Sequence, residues 1–222
     1  PAAVDDAIAR LHWVDDTFST YEPDSPISRL ARGEIGIAEC PPEVAQILTH
    51  CDELRTETDG YFSAYATGSL DPSGLVKGWA IQQVSDQLRA AGSRNHCING
   101  GGDVHCAGSA ANGGPWRIGI SHPIRPGQLA AVVTGTDIAV ATSGTAERGA
   151  HIRNPHGLTA PCGLASVTIV GKDLGRTDAY ATAAFAMGTE APDWIATLDG
   201  YQGLVIRADG SQWASPDFAS AP

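Results

Sequence analysis

The order in which helical and strand-like patterns appear along the chain is the strongest constraint on its fold. Apolar residues recur every three or four positions through residues 4–18, which is the spacing of one face of a helix. The same spacing follows Pro41-Pro42 and stops before Thr58, and a third helical stretch runs from Leu75 to about Gly92. The first part of the chain is therefore predicted to be largely helical.

Short runs of β-branched and apolar residues between turn signals dominate the rest of the sequence. They predict strands over residues 97–99, 116–121, 130–133, 138–142, 165–170 and 204–207. In this part of the chain, helices are predicted over residues 177–187 and 193–198. Because the strands outnumber the helices and do not alternate strictly with them, we predict an α+β fold.

The charge balance argues against several classes of protein. The 14 Lys and Arg residues against 25 Asp and Glu residues give a net charge of −11, so binding to nucleic acid is not expected. No apolar stretch reaches the roughly 20 residues that a membrane-spanning helix needs. With 42% hydrophobic residues the chain can form a core, as one domain or as two closely joined halves.

The five cysteines include no C-x-x-C pair, and one of them must stay unpaired in any disulfide scheme. We therefore expect reduced thiols, which slightly favours a cytoplasmic location. The sequence begins at Pro1 rather than at Met, so export or membrane anchoring through a preceding segment stays an alternative. His151 and His156 lie on either side of Pro155 and cannot share a helix face, so no structural zinc site is predicted.

Asp178 and Thr182 lie four residues apart in a predicted helix, so their side-chain oxygens project from the same face. A carboxylate and a hydroxyl together suit a hard cation such as Mg²⁺. The alternative is that Asp178 stabilises the helix dipole and that Thr182 only packs. We expect Asp178 to lie in a surface cleft, outside the core.

Two other motifs are ambiguous when each is taken alone. Gly100-Gly101-Gly102-Asp103 resembles a phosphate-binding loop, but His105 stands where the dinucleotide-binding fingerprint requires glycine. A turn that ends a strand is therefore the preferred interpretation. His151 follows Ser143, but Ser143 is not in a G-x-S-x-G motif, so a Ser-His hydrolase is not predicted and His151 alone indicates a hydrogen-bonded structural residue.

Seven segments follow one another in a fixed order: residues 18–25, 58–62, 73–80, 99–103, 142–144, 151–157 and 178–182. In this order they resemble the ApbE-type FAD:protein FMN transferases, and the resemblance extends from about residue 4 to residue 210. It implies mixed, largely antiparallel sheets packed with helices, similar to the T-fold architecture, in a single compact domain over residues 1–222. Such sequences usually begin with a strand that carries Met-Gly-Thr, and no counterpart of that strand is found in this sequence.

The resemblance also implies an activity and a site. The activity is Mg²⁺-dependent transfer of the FMN half of FAD to a threonine hydroxyl of an acceptor flavoprotein, with release of AMP. The metal would be held by the side chains of Asp178 and Thr182 and by the backbone carbonyl of Gly74. His151 would take the proton from the attacking threonine or position the flavin. The residues expected to contact FAD are Tyr21, Tyr61, Phe62, Ser63, Asp71, Lys77, Gly101, Gly102, Asp103, Ser143, Gly144, His151 and Ile152.

Two departures from the usual pattern bear on the flavin pocket. Ser63 follows Phe62 where Asp is common, and Ala31 stands where Asn is usual. Two alternatives to the transferase stay open at this point: an FAD pyrophosphatase, in which water replaces threonine, and a non-catalytic FAD-binding module.

Overall fold

The computed structural model describes residues 2–145, 152–157, 163–216 and 218. Within these ranges the chain forms six α-helices and eight β-strands. The helices are α1 (Ala2–Phe18), α2 (Pro26–Ala31), α3 (Pro42–Glu57), α4 (Ser73–Ala90), α5 (Leu174–Met187) and α6 (Ala191–Ile195). The strands are β1 (His96–Gly100), β2 (Asp103–Ala107), β3 (Trp116–Ser121), β4 (Leu129–Gly135), β5 (Ile138–Gly144), β6 (Leu164–Gly171), β7 (Gln202–Arg207) and β8 (Gln212–Ala214). No helix in the described part of the chain is both long and apolar enough to cross a membrane.

Local sequence explains where several helices begin and end. The Ser25 hydroxyl accepts a hydrogen bond from the Ser28 amide at 3.2 Å and caps α2, which has proline in its first turn. The Asp173 carboxylate caps α5 in the same way by accepting from the Arg176 amide at 2.8 Å. Helix α5 ends at Gly188, whose φ of +67° is a conformation that side chains with a Cβ rarely adopt.

The strands form two antiparallel sheets. Six of them pair in the order β1-β2-β5-β6-β7-β8, and β3 pairs with β4 in a separate two-stranded sheet. Both faces of the larger sheet are covered. On β5, Ala139 and Ala141 belong to the core that packs against the helices, whereas Ile138 and Val140 belong to a second core that includes residues of β3 and β4.

The structure confirms the predicted α+β fold and its main elements, and it adds three elements that the sequence patterns did not predict. These are α2, β2 and β8. The glycine-rich segment is confirmed as a turn at a strand end. Gly101 and Gly102 have φ of +61° and +92° and form the two-residue connection between β1 and β2.

The expectation that Asp178 lies outside the core is wrong. Helix α5 packs between α4 and the larger sheet, and the Asp178 residue is only 4% exposed. The carboxylate is therefore largely buried, although Asp178 still reaches the wall of the cavity described below.

Candidate functional site

A cavity of about 880 Å³ opens where the larger sheet, the β3 and β4 hairpin and the start of α4 meet. Its apolar lining includes Val104 of β2, Val140 of β5 and Ile118 of β3. Its polar lining comes from the first turns of α4, from α5 and from the end of β5. The volume lies within the range of about 300–1,000 Å³ that is usual for small-molecule and cofactor sites.

Most of the residues selected from the sequence line this cavity. They are Tyr61, Phe62, Ser63, Asp71, Gly74, Lys77, Gly101, Gly102, Ser143, Gly144, Ile152, Asp178 and Thr182. Asp103 lies behind the wall, 1% exposed, and its carboxylate contacts the Lys77 ammonium. Tyr21 does not line the cavity and is 95% exposed. His151 lies outside the described residues.

A close crossing of α4 and α5 brings the proposed metal ligands together. The Gly78 amide of α4 donates to Asp178 Oδ2 at 3.2 Å. A Cβ at position 78 would lie 2.5 Å from the Leu174 carbonyl oxygen and 2.9 Å from the Asp178 Cβ, so glycine is required for this approach. One turn earlier in α4, a Cβ at Gly74 would lie 3.9 Å from the Thr182 Cγ2. Gly74, Asp178 and Thr182 therefore converge, although Gly74 and Asp178 are far apart in sequence.

Lys77 lies between two buried carboxylates at this crossing. Its ammonium contacts Asp103 Oδ2 and lies 3.8 Å from Asp178 Oδ1. Asp103 also accepts a hydrogen bond from the Thr142 amide of β5 at 3.2 Å. The Lys77 side chain is 32% exposed and lines the cavity, so a positive charge held by α4, α5 and β2 faces the ligand space.

Hydroxyl groups connect the end of β5 to α5. Ser143 Oγ and Thr182 Oγ1 are 3.3 Å apart, and Thr142 Oγ1 lies 2.8 Å from Thr168 Oγ1 of β6. The Ser143 contact holds the Thr182 side chain next to Asp178, which lies one helical turn away on the same face. The face thus offers a carboxylate oxygen and a hydroxyl oxygen to the cavity.

The chemistry of this donor set fits a magnesium ion. Asp178 supplies a carboxylate, Thr182 a hydroxyl and Gly74 a backbone carbonyl, and all three residues line the cavity. Mg²⁺ prefers oxygen ligands and usually keeps water or phosphate oxygens in its remaining positions. In the described ranges, no cluster of three or more His, Cys, Asp or Glu side chains is placed to hold a metal, so an ion here would depend on this mixed set.

Tyr61 and Phe62 contribute aromatic side chains to the lining of the cavity, and His156 packs against Tyr61. The Tyr61 ring meets the His156 ring edge to face at 4.6 Å between centroids, and His156 Nε2 lies 2.9 Å from the Asp59 carbonyl oxygen. Burial, followed by the hydrogen bond from the Tyr61 hydroxyl to the Glu190 carboxylate, raises the Tyr61 pKa above its usual value. The Tyr61 hydroxyl proton is therefore used in the hydrogen bond to Glu190, which holds the ring in place at the edge of the cavity.

Sequence reasoning did not select several polar residues that also line the cavity, among them Asn99, Arg117, His122 and Arg153. Asn99 accepts a hydrogen bond from the Gly102 amide at 3.0 Å and so stabilises the turn that borders the cavity. Arg117 lies in β3, where exposed and partly buried residues alternate. That alternation was visible in the sequence, but it does not show that the exposed face of β3 borders a cavity.

Comparison with known proteins gives the same picture over most of the chain. The sequence model of the ApbE family matches residues 2–68 and 63–205. The FAD:protein FMN transferase of Rhodobacter capsulatus is 33% identical over 202 residues, which are 82% of this chain and 38% of that protein. The Vibrio cholerae protein of the same name is 31% identical over 162 residues, 67% of this chain and 48% of that protein. The chain thus spans less than half the length of these two curated relatives.

Solved structures support the fold independently. The ApbE protein from Thermotoga maritima superposes with a TM-score of 0.88 at 20% identity, over 98% of this chain and 90% of that chain. The flavin transferase ApbE from Vibrio cholerae gives a TM-score of 0.84 at 21% identity, over 98% of this chain and 89% of that chain. From the match of the family model to most of its length, together with this fold, the chain belongs to the ApbE family.

Proposed function

We propose that this chain transfers FMN from FAD to a threonine hydroxyl of an acceptor flavoprotein and releases AMP, in a reaction that depends on Mg²⁺. Membership of the ApbE family and the name shared by its curated relatives support flavin transfer. The observation that carries the proposal is the convergence of Gly74, Asp178 and Thr182 beside the Lys77 ammonium in one cavity.

Different residues of the cavity would bind different parts of FAD. Tyr61 and Phe62 offer aromatic surface for the isoalloxazine ring. Lys77, Arg117 and Arg153 offer positive charge for the two phosphates. The first amides of α4 also favour an anion, and the Asp71 carboxylate fixes the start of that helix by accepting from the Ser73 amide at 3.0 Å.

The reaction breaks the pyrophosphate of FAD at the phosphorus of its FMN half. The threonine oxygen forms a bond to that phosphorus, the bond to the bridging oxygen breaks, and AMP leaves with the bridging oxygen. A magnesium ion held by Asp178, Thr182 and Gly74 would neutralise the negative charge that develops on the phosphoryl oxygens. Lys77 would add a second positive charge on the same side.

The proton of the attacking threonine needs an acceptor. We assign this role to His151, because imidazole changes its charge near neutral pH and because Ile152, its neighbour in sequence, lines the cavity. A general base of this kind accelerates a reaction by about 10²–10⁴-fold. The His151→Ala variant should therefore retain FAD binding and lose most of its transfer rate, whereas loss of binding would indicate that His151 positions the flavin instead.

The test is a product analysis with and without an acceptor. Purified protein is incubated with FAD and Mg²⁺, AMP and FMN are separated by chromatography, and a threonine-containing acceptor is analysed by mass spectrometry. AMP release that requires the acceptor, together with an FMN group on its threonine, supports transfer. AMP and free FMN without an acceptor would instead show hydrolysis, and intact bound FAD would show a binding module. Either result contradicts the proposal.

A pair of variants on α5 makes the metal assignment testable. Asp178→Asn removes the carboxylate from the cavity and is expected to lower Mg²⁺-dependent turnover by at least about 10²-fold. Asp173→Asn is the matched control, because it changes a carboxylate on the same helix that caps α5 away from the cavity, and asparagine caps equally well. Equal activity of the two variants would show that Asp178 does not hold the metal.

A further inference from the structure

Two cysteines face each other in the hairpin that borders the cavity. Cys97 of β1 and Cys106 of β2 are direct partners in the antiparallel register. The Cys106 thiol donates to the Cys97 sulfur at an Sγ to Sγ distance of 2.9 Å. Both are free thiols in this structure.

The geometry of the hairpin favours a bond between them. A two-residue turn places its flanking pair, Gly100 and Asp103, at a hydrogen-bonded position, and positions then alternate along the ladder. The pair Cys97 and Cys106 therefore occupies a non-hydrogen-bonded position, where the Cα atoms are about 4.5 Å apart and the side chains lie closest. This separation lies within the range that a disulfide spans, so the two sulfurs can bond without moving the backbone far.

The two thiols differ in access. Cys97 is exposed and lines the cavity, so a small molecule can reach its sulfur. Cys106 is fully buried in the core under β3 and β4, and that burial raises the pKa of its thiol. Cys97 is thus the thiol that reacts first with an external reagent, and Cys106 is placed to react second.

We propose that Cys97 and Cys106 form a reversible cross-strand disulfide in the cavity wall, through exchange with a small-molecule disulfide such as glutathione disulfide. The Cys97 thiolate attacks one sulfur of the reagent, whose S–S bond breaks and releases one thiolate. The Cys106 sulfur, after losing its proton, then attacks Cys97 Sγ, and the mixed disulfide breaks to release the second thiolate. One molecule of reagent is reduced to two thiols, and the protein loses two hydrogens.

The bond ties the edge strand β1 to β2 in the hairpin that carries Asn99, Gly101, Gly102 and Asp103. Because these residues form or support one wall of the cavity, formation or reduction of the disulfide acts directly on the ligand site. This inference concerns the two thiols only and does not depend on the proposed transfer reaction.

Peptide mapping of the whole protein tests the proposal directly. After exposure to glutathione disulfide, free thiols are blocked with a maleimide and the protein is digested with trypsin. Residues 95–117 contain both cysteines and no internal Lys or Arg, so they form one tryptic peptide. We expect this peptide to be about 2 Da lighter than its reduced form and to take up no maleimide. Treatment with a dithiol reductant should restore two maleimide sites.

The same digest contains an internal control. Residues 33–55 form a tryptic peptide with Cys40 and Cys51, for which the described residues show no neighbouring cysteine sulfur within hydrogen-bond distance. This peptide should take up maleimide before and after oxidation, although the buried Cys51 reacts only once the protein is denatured.

A variant identifies the order of the two steps. Cys106→Ser, or Cys106→Ala if the serine variant does not fold, should stop at the mixed disulfide and accumulate one glutathionyl group on Cys97. Glutathionylated Cys97 in the wild-type protein, a bond from either cysteine to Cys162, or two maleimide sites on residues 95–117 after oxidation would each overturn the proposal.

Discussion

Gly78 is the residue on which the crossing of α4 and α5 depends most directly. In Gly78→Ala the added methyl group would lie 2.5 Å from the Leu174 carbonyl oxygen, whereas ordinary contact begins at 3.4 Å. This shortfall of about 0.9 Å must be absorbed by backbone, because the Leu174 carbonyl belongs to the first turn of α5. The two helices therefore have to separate or rotate at the point where Asp178 meets the cavity.

The expected loss of stability follows from two opposing effects. Overpacking against backbone costs up to about 3 kcal/mol, and the better helix propensity of alanine returns about 1 kcal/mol. The net cost of about 2 kcal/mol corresponds to a fall in Tm of about 4–8 °C for a domain of this size. Because the movement also displaces Asp178 from Gly74 and Lys77, the proposed Mg²⁺-dependent AMP release should fall by more than the loss of folded protein explains.

Calorimetry and a steady-state assay at a temperature well below both Tm values separate these two effects. Gly175→Ala is the matched control, because Gly175 lies in the same interface but an added Cβ would stay 3.5 Å from the nearest atoms of α4. It should change Tm by no more than a few degrees and leave turnover unchanged. If Gly78→Ala melts at the wild-type temperature and keeps full metal dependence, the close helix crossing does not hold the site together.

Three further outcomes are expected. Lys77→Gln should lower stability by about 2–3 kcal/mol, measured by urea unfolding, because it removes the ammonium that contacts the buried Asp103 carboxylate; an unchanged midpoint would contradict this. The Arg176 guanidinium holds the pKa of Glu57 below its ordinary 4.5, so this contact stabilises the protein fully above about pH 4.5 and is lost as the pH falls through the lowered pKa. Glu57→Gln should therefore lower the free energy of unfolding by about 0.5–1 kcal/mol at pH 7, a small value because solvent screens both exposed partners. The difference in stability between variant and wild type should disappear at acidic pH, and a difference that does not change with pH would refute this expectation. Tyr21→Ala should leave the FAD dissociation constant unchanged by fluorescence titration, because the ring does not line the cavity, and a clear weakening would restore Tyr21 to the site.

The helices and most strands could be predicted because their periodicity is a local property. Helices α1, α3, α4 and α5 each show apolar residues at helical spacing, and β3 to β7 are short runs between clear turn signals. The elements that were missed carry weaker local signals. Helix α2 has six residues, too few for a stripe to be recognised, although Ser25 and Pro26 mark its start. Strand β2 is buried at every position and contains Asp103 and His105, so it shows no alternation.

The burial of Asp178 could not be predicted for a different reason. Its depth depends on a helix crossing that a single glycine permits, and a sequence pattern records the glycine but not the helix that approaches it. The same holds for Arg117, whose position beside the cavity follows from the placement of the small β3 and β4 sheet over the larger one. The sequence shows which residue types stand at Gly74, Asp178 and Thr182. Which distant segments come into contact depends on the whole fold.

Because the two helices that form the site are far apart in sequence, ligand binding is coupled to folding of the chain. The Gly78 amide and the Asp178 carboxylate, which meet at 3.2 Å, are 100 residues apart in sequence. In an unfolded chain α4 and α5 are therefore not held together, and the site they form is absent. A ligand that requires both helices then binds only to folded molecules, and at a hundred times its dissociation constant it would add about 2.7 kcal/mol to the free energy of unfolding. Thermal shifts with Mg²⁺ and FAD, alone and combined, would report on occupancy without any need for turnover.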